Sequence, residues 1–321
     1  MKKFNKNHLC FWYEQTDLKN NTLLSGILST IKFDINDPSI ICHEQTCSEL
    51  INNNQIKLSK QLPLYLVYSD DNKLIEQKIK KIIDPSHCIQ KKTDQFLFKQ
   101  FKINSPIISS WIYKMVTKKK FLLADGHHRY EVIKKFYSTI NYKIFIRNIP
   151  DPNSIISPFY RTCHLISESK LKIFFYQLCH YFEPIKYKNK LEFLNSIKII
   201  KNGIGMICNK KEYYLIKFKK NKKLDDLFET GISKDYKMYS GNIIDEVFIK
   251  KFLNKKIDSK NILYDTSIEK VFSNCEQNKN YIAFLHNGIS LKNLIKIAKN
   301  KELLNIKSTH FIPKLSNDFF K

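Results

Sequence analysis

The sequence predicts an α/β protein in two lobes, and three observations carry that prediction. In the first half, short apolar runs of strand length alternate with stretches of helical apolar spacing, the pattern of strands and helices layered on a sheet. The segment Asn148-Ile149-Pro150-Asp151-Pro152-Asn153 is turn-rich and divides the chain into residues 1–150 and 151–321. A hydrophobic share of 43% over 321 residues is enough for sizeable cores and excludes wholesale disorder.

The elements follow in order. Residues 8–15 are aromatic and read as a strand, and 22–33 are apolar enough for a buried strand or a short helix. Residues 39–46 read as a strand running into a polar turn, and 47–61 as a loop with a short helix. LPLYLVY at 62–68 is a strong buried strand, 72–83 have helical spacing, and Phe96, Phe98 and Phe101 mark a strand over 94–103. Pro106 opens a helix expected to run to about Lys118. A strand, a turn at Gly126 and a helix follow over 121–137, then a strand over 142–146. In the second half, helical spacing covers 169–181, 242–254, 267–275 and 290–300. A hairpin around Asn209-Lys210-Lys211 spans 204–219, and 281–287 read as a strand.

Charge is the compositional outlier. Fifty-five Lys and Arg against 30 Asp and Glu give +25. A polyanionic partner would explain this. Compositional drift toward Lys, Asn and Ile explains it better, because the lysines are spread and form no localised patch. Nucleic acid is therefore not the favoured partner, although the charge alone does not exclude it. The eight cysteines include no CxxC pair, so no zinc site and no disulfide framework is expected. They read as reduced thiols of a cytoplasmic protein. No secretory apolar region and no run of about 18 apolar residues is present, so no membrane segment is expected.

Chemistry concentrates at Asp125-Gly126-His127-His128-Arg129. A strand that turns at a glycine into a helix leaves backbone N–H groups unpaired, and the helix dipole adds positive charge there. With Arg129 beside it, the turn is built to hold a phosphate, and a histidine binds the same phosphates or moves a proton. The competing account is a stabilised turn with Asp125 as its cap and with exposed histidines. His43-Glu44-Gln45-Thr46 ends a strand in the same half, where Glu44 is a general base toward a hydroxyl, a Mg²⁺ ligand, or a solvated strand-end carboxylate. Arg161 follows a Pro-aromatic pair and is either a phosphate ligand or a surface charge. Lys307-Ser308-Thr309 offers a cation and two hydroxyls that could close over phosphates, or forms a docked polar tail. Glu246 sits in an apolar helix and is expected to be ion-paired for structural reasons.

With these residues in hand, the chain resembles the domain-of-unknown-function 1015 family. Ala124 to Tyr130 matches that family's ADGHHRY-type hallmark residue for residue. Trp12-Tyr13-Glu14-Gln15, His43-Glu44-Gln45-Thr46, Leu62-Pro63 through Tyr68 with Asp70, Tyr160-Arg161 and the closing Lys307 to Leu315 resemble its other motifs, in order. Glu246, Leu253 and Asn254 stand where a Leu-His-Glu helix is expected, with Asp245 in place of the His. The family in turn resembles the ParB/sulfiredoxin-like superfamily, whose Gly-x-x-Arg turn binds nucleotide phosphates. The resemblance implies an α/β fold with a mixed sheet: a ParB/sulfiredoxin-like nucleotide-binding lobe, and a smaller α+β lobe that closes the site.

It also implies a small-molecule kinase that uses ATP or ADP, with Mg²⁺ as the accompanying ion and free serine or a similar hydroxyl metabolite as acceptor. On that reading Gly126, His127, His128, Arg129, Arg161, Lys307, Ser308 and Thr309 hold phosphates, and His43, Glu44 and Asp125 are catalytic. The alternatives are a nucleotide-switched, nucleic-acid-binding protein of the ParB type and a non-catalytic family member. Two departures bear on this. The family's leading Pro-Tyr-Asp segment does not precede the first strand, and Leu50 to Asn54 replaces the Asp-Arg pair expected after His-Glu-x-Thr.

Overall fold

A computed structural model describes residues 10–34, 39–46, 51, 62–103, 105, 107, 109–111, 120–137, 139–164, 166–200, 202–258 and 260–320. The readings over 47–61 and 106–118 fall largely outside the described residues. The chain divides into two compact units, residues 1–154 with 311–321, and residues 155–310.

The first unit is built on a mixed eight-stranded sheet. Its strands are β1 (Cys10–Asp17), β2 (Thr22–Asp34), β3 (Ile40–Ile41), β4 (Leu64–Tyr68), β5 (Cys88–Lys92), β6 (Phe96–Lys102), β7 (Phe121–Asp125) and β8 (Thr139–Asn148). They lie in the order β3-β7-β4-β8-β2-β1-β6-β5. The β3–β7 and β4–β8 pairs are parallel and the others antiparallel. Two helices, α1 (Leu74–Lys80) and α2 (His127–Phe136), contribute Ile75, Ile79, Tyr130, Val132 and Ile133 to one apolar layer against Leu64, Leu66, Leu123, Ile144 and Ile146. Central strands buried on both faces read as continuous apolar runs, which is why LPLYLVY and FLLAD are so legible.

The opposite face of this sheet is covered by the C-terminal tail. Phe319 and Phe320 pack on Tyr13, and Phe319 also on Phe98. Gln15 donates to the Lys314 carbonyl and accepts from the Ser316 amide, both at 2.9 Å. The tail, expected with the second lobe, belongs to the first unit because the aromatic face there offers it apolar surface to bury.

The second unit has a six-stranded antiparallel sheet, β11-β13-β12-β15-β10-β14. Its strands are β10 (Tyr160–Cys163), β11 (Phe182–Tyr187), β12 (Ile204–Cys208), β13 (Glu212–Phe218), β14 (Ile262–Asp265) and β15 (Ile282–His286). A short ribbon pairs β9 (Ile155–Ile156) with β16 (Ile289–Ser290). On one face lie α3 (Glu168–Tyr181) and α5, a turn of α-helix at Ser240–Asn242 that continues as a π-helix over Ile243–Phe252. On the other face lie α4 (Lys190–Ile199) and α6 (Ile268–Gln277), and α7 (Leu291–Lys299) follows β16. Each of α3, α6 and α7 starts at a serine whose hydroxyl accepts a backbone N–H.

Candidate functional site

The turn after β7 depends on Gly126. Its φ is +100°, in the left-handed region that glycine tolerates. A Cβ there would stand 2.7 Å from Arg129 Nη2 and 2.8 Å from Leu64 Cδ2. The missing side chain is thus what lets the guanidinium fold back over the turn. The first helical bond runs from the Tyr130 amide to the Gly126 carbonyl at 2.9 Å, and no side chain caps α2. Asp125, one candidate cap, instead accepts from Arg129 Nη2 at 2.9 Å. Arg129 Nη2 also lies 3.3 Å from the Pro63 carbonyl. Arg129 Nε is buried and has no partner among the described residues. A buried charged donor left unpaired is costly unless something binds it. An uncapped helix start and an unpaired guanidinium N–H at one turn together suit an anionic oxygen.

His43 and His127 form a buried pair in the same unit. Their rings lie 4.7 Å apart at 82°, with His127 Nε2 3.4 Å from His43 Nδ1. Burial lowers the His127 pKa to about 4; Asp125 opposes the shift, while His128 and Arg129 add to it. Burial, with the neighbouring His127, also holds His43 well below the ordinary histidine range. Both are neutral near pH 7, so His127 can meet a phosphate as a hydrogen-bond partner but not as a cation. His128 and Glu44 are half-buried.

The pH dependence follows. The unfolded histidine titrates near 6.5 and the folded one lower, so unfolding takes up protons in acid. Stability is intact above about pH 6.5 and is lost as pH falls toward 4, by on the order of 3 kcal/mol for His127 alone. Thermal melting between pH 7 and 4.5 should show this fall, and His127→Gln should flatten it. An equally steep profile in that variant would contradict the assignment.

Tyr65, Arg147 and Phe311 join this cluster and were not legible as site residues. The Phe311 ring lies 6.0 Å from His43 and 6.5 Å from Tyr65. Arg147 Nη1 donates to the Tyr65 hydroxyl and to the Ile312 carbonyl, each at 3.1 Å. Tyr65 is the cross-strand partner of both Asp125 and Phe145, through a bulge between Tyr65 and Leu66. The available signal was an arginine at the end of the buried run KIFIRN, in a chain with only three arginines.

Arg161, Lys307, Ser308 and Thr309 lie in the second unit. Arg161, expected at a phosphate, is wholly buried and bound by the protein itself. Its Nε and Nη2 donate to Asp245 at 2.8 and 2.7 Å, Nη1 donates to the Phe159 carbonyl, and Nη2 lies 3.4 Å from Ser308 Oγ. Burial alone would favour an uncharged guanidine, but Asp245 overrides it and raises the Arg161 pKa. Ser308 is also tied by its hydroxyl to the Asn305 carbonyl and by its carbonyl to the Tyr239 hydroxyl. Thr309 is buried. Lys307 adopts φ +58° and sets its ammonium 5.4 Å from the centre of the Phe159 ring. Glu246 is ion-paired with Lys250 at 2.7 Å, as its sequence context suggests, and accepts from Asn305.

Among the described residues no helix is long and apolar enough to cross a membrane. The described cysteines are unbridged, and burial pushes the Cys10, Cys163 and Cys208 thiols up to about 12, which makes them inert.

Residues 4–233 match the model of the family described as "Protein of unknown function (DUF1015)". No curated protein matches the chain significantly. Among solved structures, the chain is similar to a conserved hypothetical protein from Pyrococcus furiosus, at 13% identity and a TM-score of 0.43, over 91% of this chain and 97% of that one. It is similar to a free serine kinase in complex with AMP, at 11% identity and a TM-score of 0.43, over 88% and 86%. It is also similar to C-terminally truncated SbnI from Staphylococcus aureus, at 10% identity and a TM-score of 0.45, over 90% and 85%.

Proposed function

We propose, from the premise that the chain belongs to the DUF1015 family, that it is a nucleotide-dependent phosphotransferase acting on a small hydroxyl-bearing metabolite. The observation that carries the reading is the turn at Gly126. It combines an uncapped helix start with an arginine whose Nε is buried and unpaired. A phosphate fits both features. Asp125 holds the guanidinium in place through Nη2, so its part is positioning. Phosphoryl transfer relies mainly on positioning and charge neutralisation, and little covalent chemistry is asked of the protein. ATP or ADP is the donor in this reading, and free serine is the first acceptor to test, on the strength of the sequence resemblance. Glu44, three residues beyond the short β3 strand and adjacent to His43, is the general base toward the acceptor hydroxyl.

The test is incubation with ATP or ADP, Mg²⁺ and a panel of amino acids and amino alcohols, followed by detection of a phosphorylated product. Product with one acceptor supports the reading. No product with any acceptor, together with tight salt-sensitive DNA binding, would overturn it. Glu44→Gln should lower turnover by about 100-fold or more while nucleotide affinity stays within about twofold, as for a general base. Equal loss of turnover and affinity would argue against that role.

A further inference from the structure

The chain holds 55 Lys and Arg, of which only three are arginines: Arg129, Arg147 and Arg161. In so lysine-rich a chain, lysine can meet any need for positive charge alone. An arginine that persists points to a need for the planar guanidinium fork. Two of the three have a carboxylate partner within the protein, Asp125 for Arg129 and Asp245 for Arg161. Arg147 has no carboxylate partner among the described residues. Its bonds go to two neutral oxygens, the Tyr65 hydroxyl and the Ile312 carbonyl, and both use Nη1. Among the described residues, its remaining donors and its charge have no partner.

Its position ties it to the turn. Arg147 lies two residues beyond Phe145 on β8, and Phe145 is directly opposite Tyr65, which is itself opposite Asp125. Tyr65 is buried, and its hydroxyl feels both the Arg147 and the Asp125 charge. The Phe311 ring links Tyr65 to His43, and His43 meets His127 at the start of α2. Arg147 itself is half-buried and stays reachable from solvent.

We infer that Arg147 is a second anion-binding residue of this site, taking the oxygens of a group other than the phosphate at Gly126. That group is either a further phosphate of the nucleotide or the carboxylate of the acceptor. The inference rests on the nucleotide reading of the turn.

Calorimetric titration of the full chain separates the cases. AMP, ADP and ATP are titrated into wild type, Arg147→Met, Arg147→Lys and Arg129→Ala. Serine and ethanolamine are then titrated into the ADP complexes. Arg147→Met should leave AMP affinity unchanged. It should lose about 10- to 100-fold either on ADP and ATP or on serine relative to ethanolamine, and which one identifies the anionic group. Arg147→Lys should recover only part of the loss, because it restores charge but not the fork. Equal weakening of every ligand, or of none, overturns the inference. Wild type that binds no nucleotide overturns the reading of the turn itself, a different outcome. Tyr65→Phe, which keeps Arg147 and the packing, should shift the same ligand in the same direction by a smaller factor.

Discussion

Arg129→Ala should weaken nucleotide binding by at least about 100-fold, since each hydrogen bond from a charged donor contributes about 1.5–3 kcal/mol and the fork supplies more than one. The fold should survive. The ion pair that is lost involves Asp125, whose side chain is 43% exposed, and water can solvate that carboxylate once the arginine is gone. Arg129→Lys is the sharper comparison. A lysine at this position can reach Asp125 as a point charge, but it has no Nε–H to leave facing the turn. It should therefore keep stability and recover little affinity. If the alanine variant binds AMP and ADP as wild type does, with an unchanged melting curve, the turn does not hold phosphate and the proposed function falls with it. Gly126→Ala acts on the same geometry from below. The added Cβ meets the guanidinium and Leu64 while the backbone sits in a region an alanine disfavours.

The turn was legible because its features are local. A buried strand of five residues, one glycine and a helix with apolar spacing lie within a single window of sequence. Its internal economy was not. Asp125 reads as catalytic in the sequence, with a helix cap as the competing account, and only the fold-back of Arg129 over Gly126 shows it as an ion-pair partner. The His43–His127 contact joins residues 84 apart, brought together by the packing of β3 beside β7, so no local pattern announces it. The strands that escaped notice have weak signatures. YRTC at β10 is half polar, CIQKK at β5 is an exposed edge, and FEPIKY at β11 carries Pro184, tolerable only because β11 is an edge strand. The helix at 242–254 was legible from Ile243, Ile244, Val247 and Phe248, but its π-helical winding was not. That winding is a rare arrangement, and Asp245 lies within it, fully buried among residues that read as ordinary core.

Asp245→Ala should destabilise the second unit by about 3–5 kcal/mol, the cost of leaving a buried charge without its partner. The side chains of Arg161 and Asp245 are both fully buried, so neither water nor deprotonation can relieve the guanidinium once the carboxylate is removed. Nearby His286 offers no help. An imidazole is neutral or cationic and never an anion, and burial, reinforced by the Arg161 charge, lowers the His286 pKa to about 3, so it stands beside the guanidinium as a neutral ring. The double replacement Arg161→Met/Asp245→Leu removes both charges and fills similar volume, so it should be markedly less destabilising than Asp245→Ala alone. Denaturant unfolding and hydrogen exchange within residues 155–310 measure both effects. Finding the double variant as unstable as the single one would mean that the pair is needed for more than charge balance. The contacts from Arg161 Nη2 to Ser308 Oγ and from the Tyr239 hydroxyl to the Ser308 carbonyl identify what that would be. Residues 305–309 hang on this network, and Lys307 is held in a left-handed conformation within it. A stable double variant with increased hydrogen exchange confined to 305–309 would then separate two functions of one ion pair: its charges offset each other's burial, and its geometry fixes the Lys307 segment.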